Sequence, residues 1–350
     1  MRQVVITRKG WPEVLQVREV LDPRPGPGTV RIRVAAAGVN FADLMMRQGL
    51  YPDAPPLPAV PGYEVAGTID AVGSGVTDWQ AGQEVVAMTR FGGYSEVVCV
   101  PVAQVYLRPP NVSAEQGAAL LVNYLTAYQM LMVMARVRAG DTVLVHGAAG
   151  GVGLAAVQIC VQQGARVIGS ASPGKYDFLH EQGVHDLFDS RQQYFAEEVR
   201  AATGGRGVEI ALEPRHGRWI MESYRALTKT GRLVLFGFSS AAAGKQPSRW
   251  AALKTLGQVP WLTLNPIRLM NDNKAVAGVN LGRLWDRQEM VSHWVQQLLT
   301  WLQAGQVNPH VDRVFPFSEA AASHHYLHDR RNLGKVVLVP DPPADPGEAT

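Results

Sequence analysis

The residues best suited to chemistry form one continuous run. Val143-Leu144-Val145-His146 has the apolar character of a buried strand, Gly147-Ala148-Ala149-Gly150-Gly151-Val152-Gly153 follows directly, and a helical pattern begins at Leu154. A pyrophosphate is held by backbone N–H groups at a helix N-terminus, and side chains on the turn would keep the backbone away from it. Gly150, Gly151 and Val152 are therefore expected to line phosphates, and Gly153 to let the helix pack close to its strand. The fingerprint is imperfect. In the register Ala148-x-Gly150-x-x-Gly153 the first glycine is an alanine, whereas Gly151-x-Gly153-x-x-Ala156 satisfies the Gly-x-Gly-x-x-Ala form. The bland alternative is a Gly-rich connection that binds nothing.

The next strand, residues 165–170, decides which dinucleotide would fit. Sites for NAD place Asp or Glu at its end, roughly 20 residues after the glycines, to accept from the ribose 2′-hydroxyl. Here the chain reads Gly169-Ser170-Ala171-Ser172-Pro173-Gly174-Lys175, with no carboxylate. The hydroxyls of Ser170 and Ser172 and the ammonium of Lys175 suit a 2′-phosphate, which a carboxylate would repel. Arg191, after a later strand, is a second candidate. NADPH is the expected cofactor; a solvated turn before a helix is the alternative.

These segments belong to a longer alternation. Residues 141–146, 165–170, 208–212 and 231–236 read as strands, and 154–163 and 175–182 as helices. That rhythm implies a parallel sheet covered by helices on both faces. Residues 1–110 differ. Val30-Arg31-Ile32-Arg33-Val34 alternates with period two, as do stretches around 65–72 and 84–87, and Gly/Pro turns separate them, which argues for a mostly β domain. The pattern changes near residue 113, where Ser113-Ala114-Glu115-Gln116 has capping-box spacing ahead of an apolar helical run to Tyr128. Residues 240–266 carry Trp250, Trp261, Pro260 and Pro266 without regular periodicity, and a loop that long is often a lid. Residues 341–350 are acid- and Pro-rich and expected to be disordered.

Composition narrows the class. A 350-residue chain with 47% hydrophobic and 18% charged residues suits a two-domain globular enzyme. Net charge is +3 with no basic run, so nothing asks for nucleic acid. Cys99 and Cys160 sit in apolar runs, read as buried thiols, and cannot build a structural zinc site. Their scarcity, the lack of a signal-like N-terminus and the lack of an uninterrupted apolar run of about 20 residues lead to the expectation of a cytoplasmic protein without a membrane span.

Further segments complete a family pattern. Ala37-Gly38-Val39-Asn40-Phe41-Ala42-Asp43, Arg47-Gln48-Gly49-Leu50-Tyr51-Pro52 and Pro61-Gly62-Tyr63-Glu64-Val65-Ala66-Gly67 precede Asn123-Tyr124-Leu125-Thr126-Ala127-Tyr128 and the Gly-rich turn. Gly92-Gly93-Tyr94-Ser95-Glu96 and Gly334-Lys335-Val336-Val337-Leu338 also match. Over residues 1 to about 340 the chain resembles the zinc-free quinone oxidoreductase branch of the medium-chain dehydrogenases/reductases. Within it, Leu264-Asn265-Pro266-Ile267-Arg268-Leu269-Met270, Asn273-Lys274 and Asn280-Leu281 resemble the synaptic vesicle membrane protein VAT (vesicle amine transport protein-like) group.

The resemblance implies an α/β chain: a GroES-like β-rich catalytic domain (1–123, completed by 281–340) and a Rossmann doubly wound parallel sheet (124–280), with a homodimer formed by edge strands. It implies that Asn40, Asp43, Tyr51 and Thr126 face the pocket, with Asn40, Tyr51 and Thr126 able to donate hydrogen bonds and Asp43 to position a neighbour or relay a proton. It adds Phe236, Phe238, Ser239, Asn280 and Lys335 to the cofactor residues. Zinc-using relatives carry Cys at Asn40 and His at Tyr63, so no metal is expected. The expected reaction is hydride transfer from NADPH to a quinone or an α,β-unsaturated carbonyl. The alternatives are an enoyl reductase for polyketide or fatty-acyl thioesters and a non-catalytic VAT-like protein associated with lipid or vesicles.

Several residues have plainer readings. Asp43 could simply cap the helix beginning near Asn40, Tyr51 could be a packed loop aromatic, and Phe238 could be core. His324, His325 and His328 are read as the solvated face of a helix over 319–329, and His146 as a support for the Gly turn. One segment departs from the family pattern: relatives read Asp-Pro-hydrophobic-Gly-Gly where this chain has Glu213-Pro214-Arg215-His216-Gly217.

Overall fold

The computed structural model describes residues 1–237 and 265–342. Phe238 and Ser239, residues 240–264 of the expected lid and residues 343–350 of the expected tail lie outside the described residues. The chain forms two compact units, one of Met1–Val122 with the chain from Pro309, the other of Asn123–Asn308. The first boundary lies within a residue of the one read from sequence. The second lies at 308 rather than 280, because a helix beyond 280 keeps its aromatic face in the second unit.

In the first unit, β1 (Arg2–Ile6) pairs with β2 (Leu15–Glu19), apart from the larger sheet. β3 (Thr29–Val39) leads into α1 (Phe41–Gln48), and β4 (Glu64–Val72), β5 (Glu84–Met88), β6 (Val97–Pro101) and β7 (Val105–Leu107) follow. These join β14 (Val311–Pro316) and β15 (Lys335–Val339) in the order β14-β15-β3-β4-β5-β7, with β6 also on β3. Alternate residues of β3, among them Val30, Ile32 and Val34, are buried in one core with Val65, Ile69, Tyr94 and Leu338. That is the period-two pattern expressed as a half-buried sheet. Ser113 closes the expected capping box on α2 (Ala114–Gly117), and α3 (Leu121–Tyr128) continues the helical run. Helical residues Ala114–Met134 are apolar and long enough to cross a bilayer, but 67% of the most apolar window is buried inside the protein, as in a core helix.

The second unit alternates β8 (Thr142–His146), α4 (Gly151–Gln162), β9 (Arg166–Ala171), α5 (Tyr176–Glu181), β10 (Asp186–Asp189), α6 (Ala196–Ala202), β11 (Val208–Glu213), α7 (Arg218–Ala226) and β12 (Leu227–Phe236). Then come α8 (Pro266–Asp272), β13 (Ala275–Val279) and α9 (Gln288–Gln303). All six strands are parallel, in the order β10-β9-β8-β11-β12-β13. Every residue of β8 is buried, as a central parallel strand requires. On α9, Trp294 and Trp301 pack their rings 5.9 and 5.7 Å from that of Tyr128. This is the doubly wound order in which the chain reverses direction between its first and fourth strands, β8 and β11, and ligands enter the crevice at their carboxyl ends. The remaining helix, α10 (Ala320–His328), belongs to the first unit.

Candidate functional site

At the carboxyl end of β8 the chain turns through Gly147 at φ 62°, a conformation glycine adopts without the Cβ penalty. It reaches Gly150, the N-cap of α4, whose first residues Gly151 and Val152 are half-exposed. Side chains are excluded by the packing. A Cβ on Gly151 would lie 2.2 Å from Asn123 Nδ2, and one on Gly153 would lie 2.1 Å from the carbonyl oxygen of Gly147. The first N–H groups of a helix have no intrahelical acceptor, so Gly151 and Val152 form a cradle of the kind that receives a diphosphate, whereas Gly150, expected beside them, spends its N–H on the carbonyl oxygen of Gly147 at 2.9 Å and closes the turn.

The turn rests on a buried polar cluster. His146 Nδ1 lies 2.9 Å from Ser170 Oγ, which accepts from Gly147 N at 3.3 Å, and His146 Nε2 lies 3.0 Å from Ser223 Oγ. Arg215 Nη2 approaches His146 Nδ1 at 2.7 Å. A guanidinium can only donate, so Nδ1 is the acceptor and the proton sits on Nε2. Burial lowers the pKa of His146 to about 3, which keeps the ring neutral at physiological pH. Glu213 receives Arg215 Nε on Oε1 at 2.8 Å and Ser223 Oγ on Oε2 at 2.8 Å. Burial alone would raise its pKa, but these partners outweigh it and hold the carboxyl below its ordinary value.

This geometry corrects the expectation for Ser170. Its side chain is fully buried and committed to His146 and Gly147, so it braces the turn instead of meeting a phosphate. Ser172 is exposed just beyond β9, and Lys175 is half-buried at the start of α5. Arg191 is 80% exposed and paired with Asp189 at 2.5 Å. Phe236 ends β12 beside Val279. Asn280 caps the short turn after β13, accepting from Gly282 N at 3.0 Å. Thr126 is half-buried on α3 in this unit.

The first unit holds a second buried polar centre. Lys335 Nζ donates to Asn40 Oδ1 at 2.7 Å and to Glu64 Oε1 at 2.5 Å. Asn40 Nδ2 donates to Glu64 Oε1 at 3.0 Å and Gly38 O at 3.3 Å, and Glu64 Oε2 accepts from Val122 N at 2.9 Å. Both amide hydrogens of Asn40 are thus taken, which removes the donor role expected for it. Lys335, expected at the cofactor, is a buried counter-ion that fixes the Asn40 amide and neutralises Glu64.

Asp43 is the cap that the plainer reading anticipated, not a pocket group. It is fully buried, and its oxygens accept from Asn40 N at 2.8 Å, Gly62 N at 2.9 Å and the Tyr94 hydroxyl at 3.1 Å. Burial pushes its pKa up to about 7, against those donors and the charge of Lys335. The folded state therefore keeps this proton where the unfolded chain, with its ordinary value of 3.8, has lost it. The stability this group contributes falls as pH rises from about 4 to about 7 and is flat above. The stability of wild type relative to Asp43→Asn should decline across that window in denaturant titrations. A pH-independent difference would mean that Asp43 titrates normally.

Tyr51 packs its ring edge-on to Tyr63, 5.9 Å away, beside Phe91. The histidines of α10 divide. His325 bonds Glu13 at the surface, whereas His324 is fully buried with Nε2 3.3 Å from the Tyr94 hydroxyl, which overturns its solvated reading. Sequence reasoning left Tyr94 without a role and Arg215 only as a departure. The pairing of Glu64 with a basic residue was signalled only by a carboxylate ahead of the apolar residues Val65 and Ala66 in β4.

A GroES-like β unit and a Rossmann unit with a Gly-lined helix N-terminus define a nucleotide-binding oxidoreductase architecture. The family model described as "Alcohol dehydrogenase GroES-like domain" matches residues 26–110, and that described as "Zinc-binding dehydrogenase" matches residues 182–338. The rat synaptic vesicle membrane protein VAT-1 homolog is 40% identical over 329 residues, covering 94% of this chain and 81% of the relative. Rat quinone oxidoreductase is 31% identical over 344 residues, covering 97% and 98%. A mycobacterial protein solved in complex with NADPH superposes with a TM-score of 0.85 at 32% identity, covering 97% of this chain and all of the other. The chain belongs to the medium-chain dehydrogenase/reductase family of oxidoreductases, in its VAT-1 and quinone oxidoreductase group.

The zinc in the matched model's description does not fit this chain. Asn40 and Tyr63 are not zinc ligands, and Glu64 already faces the ammonium of Lys335. Among the described residues no group of three or more His, Cys, Asp or Glu side chains could hold a metal.

Proposed function

We propose that the chain is an NADPH-dependent reductase that transfers hydride to a quinone or an α,β-unsaturated carbonyl without zinc. The observation that carries this reading is the opening of β8 through a turn of glycines and buried alanines onto α4, followed by a carboxylate-free turn after β9 that bears Ser172 and Lys175. The relative solved with NADPH supports the choice of cofactor. When bound, NADPH would supply the hydride. Gly151 and Val152 would hold the pyrophosphate at the helix end that Gly150 caps, Ser172 and Lys175 would hold the 2′-phosphate, and Phe236 and Asn280, at the ends of β12 and β13, would meet the nicotinamide.

Of the residues expected at the substrate, Tyr51 in the first unit and Thr126 in the second keep half-buried hydroxyls, the type of group that can donate to a developing oxyanion. Asn40 and Asp43 hold the start of α1 in place. A homodimer built on β13, one of the sheet's two edge strands among the described residues, and a cytoplasmic site, suggested by two free cysteines, belong to the same reading.

The test is NADPH oxidation with small quinones, enones and enoyl thioesters. Turnover with quinones or enones is expected. Preference for enoyl thioesters would move the chain to the enoyl reductases, and no oxidation with any class would favour a non-catalytic role. Lys175→Ala should weaken NADPH roughly 10- to 100-fold, the value of a charged hydrogen bond, and leave NADH nearly unchanged. Equal losses in fluorescence titrations would remove Lys175 from the 2′-phosphate.

A further inference from the structure

We propose that Arg215 is a specificity-determining residue for the cofactor, reading the 2′-phosphate from the opposite side to Lys175; this rests on the cofactor reading above. Arg215 lies two residues beyond β11, and its Nη2 is 2.7 Å from His146, the last residue of β8. The side chain therefore bridges the carboxyl ends of the two strands that flank the reversal point, where a dinucleotide crosses such a sheet. Its other tip reaches further. Nη1 is 3.2 Å from the carbonyl oxygen of Ser190, and Ser190 N donates to Ala171 O at 2.9 Å. Ala171 ends β9, and the next residue is Ser172. The guanidinium thus extends from β11 to the foot of the turn assigned to the 2′-phosphate.

The fork is rigid. Nε meets Glu213 Oε1 at 2.8 Å and Nη2 meets Oε2 at 3.2 Å, while the guanidinium carbon lies 5.2 Å from the ring centre of Trp219 and 5.9 Å from that of Phe195. Of its five N–H groups, Nε uses one, Nη2 uses two on Glu213 and His146, and Nη1 uses one on Ser190. One N–H on Nη1 is left, at the tip that meets Ser190. The local carboxylates do not oppose a phosphate here. Glu213 is bound by Arg215 and Ser223, and Asp189 by Arg191. A pre-organised planar cation is better suited than a flexible one to this task. The bulky basic residue that departs from the family's small turn thereby acquires a function.

Calorimetric titration of the full chain compares NADPH with NADH, and adenosine 2′,5′-bisphosphate with AMP. Arg215→Leu should weaken NADPH and the bisphosphate roughly tenfold or more and leave NADH and AMP within about twofold. Because that variant leaves Glu213 buried without its partner, Glu213→Gln/Arg215→Leu is measured beside it and should show the same selectivity. Even losses across phosphorylated and unphosphorylated ligands would reduce Arg215 to a brace for the turn and overturn the proposal. Unchanged or tighter binding of all four would overturn it too, by making Arg215 a plug in the crevice. If the wild type binds neither dinucleotide, the cofactor reading itself falls, before any variant is examined.

Discussion

Lys335→Met will destabilise the first unit by about 3–5 kcal/mol, the range for removing one member of a buried ion pair. The side chains of Lys335 and Glu64 are 3% and 1% exposed, so water cannot replace the lost partner. Without the ammonium, the Glu64 carboxyl is left buried beside Asn40 and the Val122 amide without its counter-ion, and Asn40 loses the donor that fixes its oxygen. At 2–4 °C per kcal/mol for a unit of this size, the melting temperature should drop by roughly 10 °C. Glu64→Gln on the same background removes the uncompensated charge while keeping an oxygen for Asn40, and should recover at least half of the loss. The check is a double-mutant cycle by thermal and urea denaturation. Additive losses would mean that the pair is not coupled and that Lys335 is free for another partner.

The same pair marks where sequence reading stops. The β-α-β rhythm was legible because central parallel strands are buried on both faces, so residues such as Val143, Leu144 and Val145 appear as an uninterrupted apolar run. The start of α4 was harder, since Gly151 and Gly153 are poor helix formers and enter the helix only because tertiary packing overrides propensity. Ser170 and Ser172 are equivalent by residue type, yet β9 ends at Ala171, so one hydroxyl is sealed under the turn and the other faces solvent. Long-range partners were invisible altogether. Asn40 meets a lysine 295 positions away, His324 a tyrosine 230 positions away, and Arg215 a histidine 69 positions away. Each changes what the side chain can do: Asn40 has no donor left, His324 is kept neutral in the core, and Arg215 becomes a fixed fork.

The largest effect on cofactor binding is expected at Gly153, where one methyl group suffices. In Gly153→Ala the new Cβ would lie 2.1 Å from the carbonyl oxygen of Gly147 and 2.9 Å from Ala148 Cα. Both are backbone atoms of the turn itself, so no side-chain rotation relieves the clash, and either α4 slides away from β8 or the turn reshapes. Overpacking of this kind costs about 1–3 kcal/mol in folding, which the buried core around Leu144, Ile168 and Leu233 can absorb. Binding cannot absorb it, because the amides of Gly151 and Val152 must converge on one anion, and a shift of about 1 Å can forfeit about 100-fold in function. NADPH and NADH should therefore weaken together by about 100-fold or more in fluorescence titrations, with circular dichroism unchanged. That pattern contrasts with Lys175→Ala and Arg215→Leu, which should discriminate between the two cofactors. Gly26→Ala, in the first unit with nothing within 4 Å of the added carbon, is the control and should bind normally. Full affinity in Gly153→Ala would mean that the phosphates are held elsewhere, and the cradle would then be only a tight connection between β8 and α4.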